Sequence, residues 1–324
     1  MRAQQGGVAL ITVILISAVI ILMVFAMTEQ QVVDARRSSN MNERYQAYLF
    51  AEWAEGWAKR VLLEDAKSGS VDNQQEDWTT VIPPFEVDGG FISGRIIERN
   101  GCFNLNTLVD AAGVAQPDDI DRYKRLLLAL GLEIGLADSA VDWLDKDSQP
   151  SFPHGAESDY YARLEPAYAI ANQAFVSSSE LRAVKGYDAE VMEKLAPYVC
   201  ALPANDSKIN VNFAEAPVLM SMAAGVTQTL ADDIIEARDQ RQQGVVTKSG
   251  FASMQELYDV PGMKALLAAQ SGLQTQLDAA YSVSSNYFLL QTDTSFSRAD
   301  MVVYSLLERG SNTITTHFRA QGSY

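Results

Sequence analysis

The stretch "GGVALITVILISAVIILMVFAM", residues 6–27, decides how the rest of the chain is read. From Val8 to Met27 there are 20 residues; only Thr12 and Ser17 are polar, and none is charged. As a helix rising about 1.5 Å per residue the run spans about 30 Å, the thickness of a bilayer's hydrocarbon. Ahead of it stands one charge, Arg2, and no small-x-small site precedes the polar Thr28-Glu29-Gln30. A secretory signal needs a cationic start and such a site. Hydropathy alone therefore predicts an uncleaved single-pass anchor. The pair Gly6-Gly7 is either a flexible start or a junction whose small residues let an extended backbone enter a peptidase.

Beyond the apolar run the pattern turns amphipathic. Met41, Tyr45, Leu49 and Trp53 recur at four-residue spacing, and Phe50, Ala54, Trp57 and Val61 recur beside them, a helical stripe. After Gly7 the first glycine is Gly56, and the first proline is Pro83. Val8 to about Asp65 thus reads as one helix about 87 Å long, greasy all round in its first half and needing a packing surface in its second. Tyr45, Tyr48, Phe50, Trp53 and Trp57 exceed what one sheet face needs, so part of the stripe is expected to meet a partner helix.

A polar linker, "KSGSVDNQQED" (67–77), follows. "FEVDGGFISGRIIERNGCFNLN" (85–106) holds two β-rich stretches around Gly89-Gly90, a hairpin signal. "AYSVSSNYFLLQTDTSF" (280–296) and "DMVVYSLLERGSNTITTHFRA" (300–320) alternate apolar and polar, with a turn at Gly310-Ser311-Asn312. Between them, from about Thr107 to Leu277, the pattern is helical. "DIDRYKRLLLALGL" (119–132) is an amphipathic helix closed by Gly131. Three later segments pair short helices around Gly186, Gly225 and Gly262, with Ser178 or Ser179 as the N-cap of the first. The expected fold class is α+β: a long N-terminal helix on an antiparallel sheet, with a large helical domain inserted between its strands.

Composition narrows function. With 25 Lys+Arg against 41 Asp+Glu the net charge is −16, which opposes binding to phosphate backbones or anionic lipid. The three glycine-centred segments resemble helix-hairpin-helix units, but each lacks the second hairpin glycine that would hold a phosphate. No nucleic acid partner is expected; the rival reading is a membrane-tethered DNA-uptake receptor. Two cysteines, Cys102 and Cys200, lie outside the anchor. An even count in an exported domain predicts one disulfide, tying the sheet to the insert, against the alternative of two buried thiols. His154 and His317 are the only histidines, and neither has a nucleophile arrangement nearby, so catalysis is not expected.

"DWLDKDSQPSFPHGAESDYY" (142–161) places Asp142, Asp145, Asp147, Glu157 and Asp159 within 18 residues, broken by two prolines and a glycine. Calcium wants six to eight oxygens from a flexible loop, with carboxylates at short alternating spacing. Asp145-x-Asp147, a turn and Glu157-x-Asp159 fit that need without forming an EF-hand. A solvated acidic loop is the alternative.

The glycine junction, hydrophobic helix and late sheet resemble the type IV pilin-like proteins. "CFNLNTL" (102–108), the acidic stretch, "SSSELRAVKG" (177–186), "LAPYVCALP" (195–203) and "INVNFAEAPVL" (209–219) resemble the K-type minor pseudopilins of type II secretion, over essentially the whole chain. The resemblance implies that a prepilin peptidase removes residues 1–7, cutting after Gly7, and that Val8 is N-methylated. It implies a transmembrane segment 8–27 in the inner membrane and a periplasmic body: pilin-like parts at 28–106 and 278–324, and an insert at 107–277. It further implies a calcium-binding insert, the match "GAESDYY" carrying ligation onto Glu157 and Asp159; Ser158 departs from the usual Gly-Ala-Glu-Asp. Pilins keep a glutamate at mature position five, to meet the N-terminal amine of the subunit above. Here that position is Thr12, as in K-type members, and a subunit with nothing above it needs no carboxylate in lipid. Without the resemblance, Thr12 reads as a tolerated residue whose hydroxyl bonds back to the Val8 carbonyl. The implied partners are the minor pseudopilins I and J and the major pseudopilin fibre, whose tip the K type caps.

Overall fold

The computed structural model describes residues 6–87, 89–239, 241–242, 245–246, 249–296 and 299–322. Its first element, α1 (Gly6–Ser68), is a single helix of 63 residues. Val8 through Asn42 are exposed without exception, so this half is not covered by any other of the described residues. The second half packs through Ala47, Ala51, Glu55, Ala58 and Leu62, each at most 3% exposed. The seam is offset from the large apolar stripe read from the sequence. Met41, Tyr45, Leu49, Trp53 and Trp57 stay 40–73% exposed, and alanines face the sheet. Small side chains let the helix axis approach the strands closely, and the bulky residues flank the contact.

The sheet has five antiparallel strands in spatial order: β1 (Ile82–Val87), β2 (Gly90–Glu98), β3 (Tyr287–Phe296), β4 (Ala299–Arg309) and β5 (Ile314–Gln321). β1 is an edge strand, which admits Pro83 and Pro84 and the irregularity between Ile82 and Phe85. The turn into β2 uses Gly89 at φ +87°. A Cβ on Gly90 would lie 2.2 Å from the Ser295 carbonyl, so only glycine lets the hairpin lie against β3. Ala58, Leu62, Trp78, Ile96, Phe288, Leu290 and Leu307 form the core under α1, and Phe50 stacks on Phe296 at 4.7 Å. Burying such side chains stabilises by about 1.5–3 kcal/mol each.

Between β2 and β3 in sequence lies the helical insert: α2 (Pro117–Ala129), α3 (Leu136–Leu144), α4 (Ser158–Tyr161), α5 (Ala189–Leu195), α6 (Ala216–Met220), α7 (Gln228–Arg238), α8 (Met254–Tyr258), α9 (Pro261–Ala269) and α10 (Leu273–Ala280). One continuous core runs through it from Phe103 to Tyr281. Gly131 closes α2 at φ +67°, as its spacing predicts. The 3-10 turn Ser178–Ala183 is capped by Ser177 rather than Ser178 or Ser179, because Ser177 and Glu180 form a reciprocal capping box. Gly186 (φ +89°) and Gly225 (φ +102°) are true hairpin glycines. Gly262 is not. It lies in the first turn of α9 with no room for a Cβ beside Leu230, so that third repeat is a packing position.

Buried asparagines lace the insert together and tie it to the segment that follows α1. Asn104 accepts from the Asn106 and Leu202 amides, and Asn106 bonds both backbone groups of Phe175. Asn212 does the same with Phe251 and, together with Asn210, donates to the Asp72 carbonyl just past α1. The disulfide Cys102–Cys200 spans a separation of 98 residues with Cα atoms 5.9 Å apart. Cys200 is buried with Leu202, Tyr287, Leu289 and Leu306, so the bridge joins insert to sheet as expected.

Candidate functional site

The acidic loop begins where α3 ends. All nine residues of α3 are buried, which fixes Asp142 inside the insert and sets Asp145 as the helix's C-cap. From there the chain runs through residues 145–157 before α4. The carboxylates of Asp145, Asp147 and Glu157 converge, one oxygen from each lying within 4.8 Å of the others. Asp145 and Glu157 are 6% and 5% exposed, while Asp147 is open to solvent. Neither Glu157 oxygen nor Asp145 Oδ1 has a hydrogen-bond partner. Burial, then the neighbouring carboxylates of Asp147, Asp142 and Glu157, push Asp145 up to about 7. Burial and Asp142 raise Glu157 too.

Three of the five predicted ligands are thus brought together, and two are not. Asp142 turns its carboxylate onto the Ser151 amide, at 3.0 and 3.1 Å, and so holds the loop rather than joining the cluster. Asp159 sits exposed on the first turn of α4, outside the cluster. Buried carboxylate oxygens left without partners are costly, and a hard cation taking oxygen ligands is the group that satisfies such a donor set. The residues present therefore fit calcium. Asp145, Asp147 and Glu157 would hold it, its charge offsetting the three carboxylates.

Two further features matter for function. α1 is long and apolar enough to cross a bilayer through its first half. The Thr12 hydroxyl bonds to the Ala9 carbonyl at 2.9 Å, three residues back, not to Val8, so its polarity is absorbed within the helix. Gly7 and Val8, the expected cleavage junction, lie in α1; residues 1–5 of the expected leader fall outside the described residues. Higher on the rod, Trp53, Trp57, Ile82, Phe85, Ile92 and Leu290 line an apolar cavity of about 240 Å³ between α1 and the β1–β2 edge. The two hairpin glycines face their own chain: a Cβ on Gly186 would come 2.7 Å from Leu136, and one on Gly225 2.9 Å from Leu266.

The insert carries the decisive likeness. Residues 101–204 and 209–279 match the two domain models of type II secretion system (T2SS) protein K, together more than half of the chain. The chain belongs to the type II secretion system protein K family. Curated family members of the same name are 35% identical in Pseudomonas aeruginosa, over 96% of this chain and 91% of the relative. They are 33% identical in Aeromonas hydrophila, over 83% and 86%. In Pectobacterium carotovorum the figures are 32%, over 100% and 98%. Among solved structures, a chain of the GspK-GspI-GspJ complex from the enterotoxigenic Escherichia coli type 2 secretion system superposes with a TM-score of 0.76 at 24% identity, covering 89% of this chain and all of that one. It shares the fold of a long helix, antiparallel sheet and helical insert. Both protein K models end before β3, so the family's own signature is the insert, with the acidic loop in its first part.

Proposed function

We propose that this chain is a minor pseudopilin that caps the tip of the periplasmic pseudopilus and helps to start its assembly. The minor pseudopilins I and J are its partners and the major pseudopilin fibre lies beneath it. In this reading the inner membrane holds Val8–Met27 until assembly, and the same surface then packs against other subunits' helices. Prepilin peptidase cuts after Gly7 and methylates Val8. Thr12, which carries no charge, belongs to a subunit with no neighbour above it. Calcium bound by Asp145, Asp147 and Glu157 fastens the loop to the end of α3.

The observation that carries the reading is where the body sits on the rod. The insert is tied to the far end of α1: the Asp72 carbonyl receives Asn210 and Asn212, and the Asp72 amide donates to Val283 at 2.9 Å. Residues 8–42 remain bare. A bulky domain at that end leaves the rod free to pack below it and obstructs a subunit stacked above. The open stripe of Tyr45, Leu49, Trp53 and Trp57 is the face assigned to a partner helix from I or J.

The test is antibody labelling of sheared pseudopili with Fab fragments against the insert, together with mass spectrometry of the mature chain. Label confined to one end of each fibre, on a chain beginning at methylated Val8, is the expected outcome. Label along the shaft, or retained Met1 in a cell with an active peptidase, sinks the proposal.

A further inference from the structure

Phe152 is 93% exposed, more than any other large apolar side chain among the described residues, including those of the membrane run. A lone apolar residue on a surface ordinarily needs no explanation. Here the backbone that carries it is fixed on every side. Asp142, itself 0% exposed, grips the Ser151 amide with both carboxylate oxygens. The Gly155 amide closes back onto the Ser151 carbonyl at 2.7 Å. The Lys185 ammonium bridges the His154 and Gly155 carbonyls at 3.0 and 3.1 Å. A Cβ on Gly155 would meet Asp142 Oδ2 at 2.2 Å, and one on Gly135 would meet the His154 ring at 2.5 Å. The turn is therefore immobilised by buried charge and by backbone that tolerates no side chain, while its one large apolar group points into water.

We propose that Phe152 is an anchor, seated in an apolar cup on a different protein whose rim is basic. Aromatic groups on pre-ordered backbone make the strongest single contributions to interfaces, because little conformational freedom is lost on binding. The rim follows from the charges around the turn. Lys185 and Lys146 are the cations of the turn and its loop, and they are outnumbered by the carboxylates of Glu133 (3.6 Å from His154), Asp145, Asp147, Glu157 and Asp159, so the surround is acidic on balance. The same acidity, on a chain of net charge −16, disfavours a second copy of this protein or an anionic lipid surface as the occupant.

The experiment places the photo-crosslinking residue p-benzoylphenylalanine at position 152 of the full chain, in its native host, with Leu128, 68% exposed on α2, as control. The expected result is an adduct to one heterologous protein, formed from position 152 and not 128. Peptide mapping should place it at apolar residues flanked by Lys or Arg, with a yield in isolated membranes that falls as salt rises. Phe152→Ala, whose melting temperature should match the parent because the ring touches nothing, is expected to weaken binding of that identified protein about 30-fold. The proposal is overturned by adducts only to lipid or to a second copy, by the same labelling pattern from positions 152 and 128, or by unchanged affinity in Phe152→Ala.

Discussion

Arg319 of β5 grips Glu55 of α1 with two hydrogen bonds, Nε to Oε2 at 2.7 Å and Nη2 to Oε1 at 3.0 Å. Glu55 is 3% exposed and is the one charge in the alanine seam between helix and sheet. Burial opposes its ionisation, but hydrogen bonds from Arg319, Thr316 and Lys59 outweigh that and hold it at about 2, against an ordinary 4.5.

Because the folded value is depressed, the pair's contribution is complete above about pH 4.5 and is lost as pH falls from there through about 2. The shift corresponds to about 3 kcal/mol. Glu55→Gln should therefore destabilise by about that amount at neutral pH, read by urea unfolding of the detergent-solubilised chain. It should also flatten the acid limb of the stability curve. Parallel pH profiles for parent and variant would contradict this account of the seam.

Calcium should raise the melting temperature and magnesium should not, since magnesium demands a tight octahedral set and dehydrates reluctantly. At a hundredfold excess over its Kd, calcium stabilises by about 2.7 kcal/mol. Asp145→Asn should abolish the calcium response. In chelator it should melt higher than the parent, because one of three crowded carboxylates is gone. A chain that melts identically with millimolar calcium and with chelator removes the site.

Replacing Cys102 and Cys200 by serine opens a loop of 98 residues. On the chain-entropy model that costs about 4–5 kcal/mol. The loss should appear as an equal drop in unfolding free energy when the parent is melted in reductant. A reductant-insensitive parent would show that the bridge adds nothing to the stability of the fold.

Trp53→Ala should leave stability within about 1 kcal/mol of the parent, since the ring is 60% exposed and makes one edge contact with Phe85. It should nevertheless reduce co-purification of the I and J subunits. Full recovery of both with the variant would take the stripe out of the interface.

The rod was the most legible part of the chain. An unbroken apolar run in lipid and a helical period beyond it are imposed by composition, and α1 runs from Gly6 to Ser68 against a reading that stopped near Asp65. Which flank of the helix faces the sheet was not legible. Large apolar residues and alanines alternate round the same helix, and periodicity cannot say that close approach favours the small ones. The asparagine clamps were missed because polar residues do not announce themselves as core. Their signal was Asn-x-Asn set among apolar residues, in "FNLN" and "INVN". Within the acidic loop, spacing could not separate Asp142, spent on holding the turn, from the three residues whose oxygens converge.

The bare apolar run from Val8 to Met27 has a consequence for the molecule's life history. A surface that greasy has no stable residence in bulk water, so it must be covered, in the proposed function first by acyl chains and then by other proteins. On the function proposed above, its passage from bilayer to fibre is a hand-over between two dry neighbours, with no free-swimming stage between them.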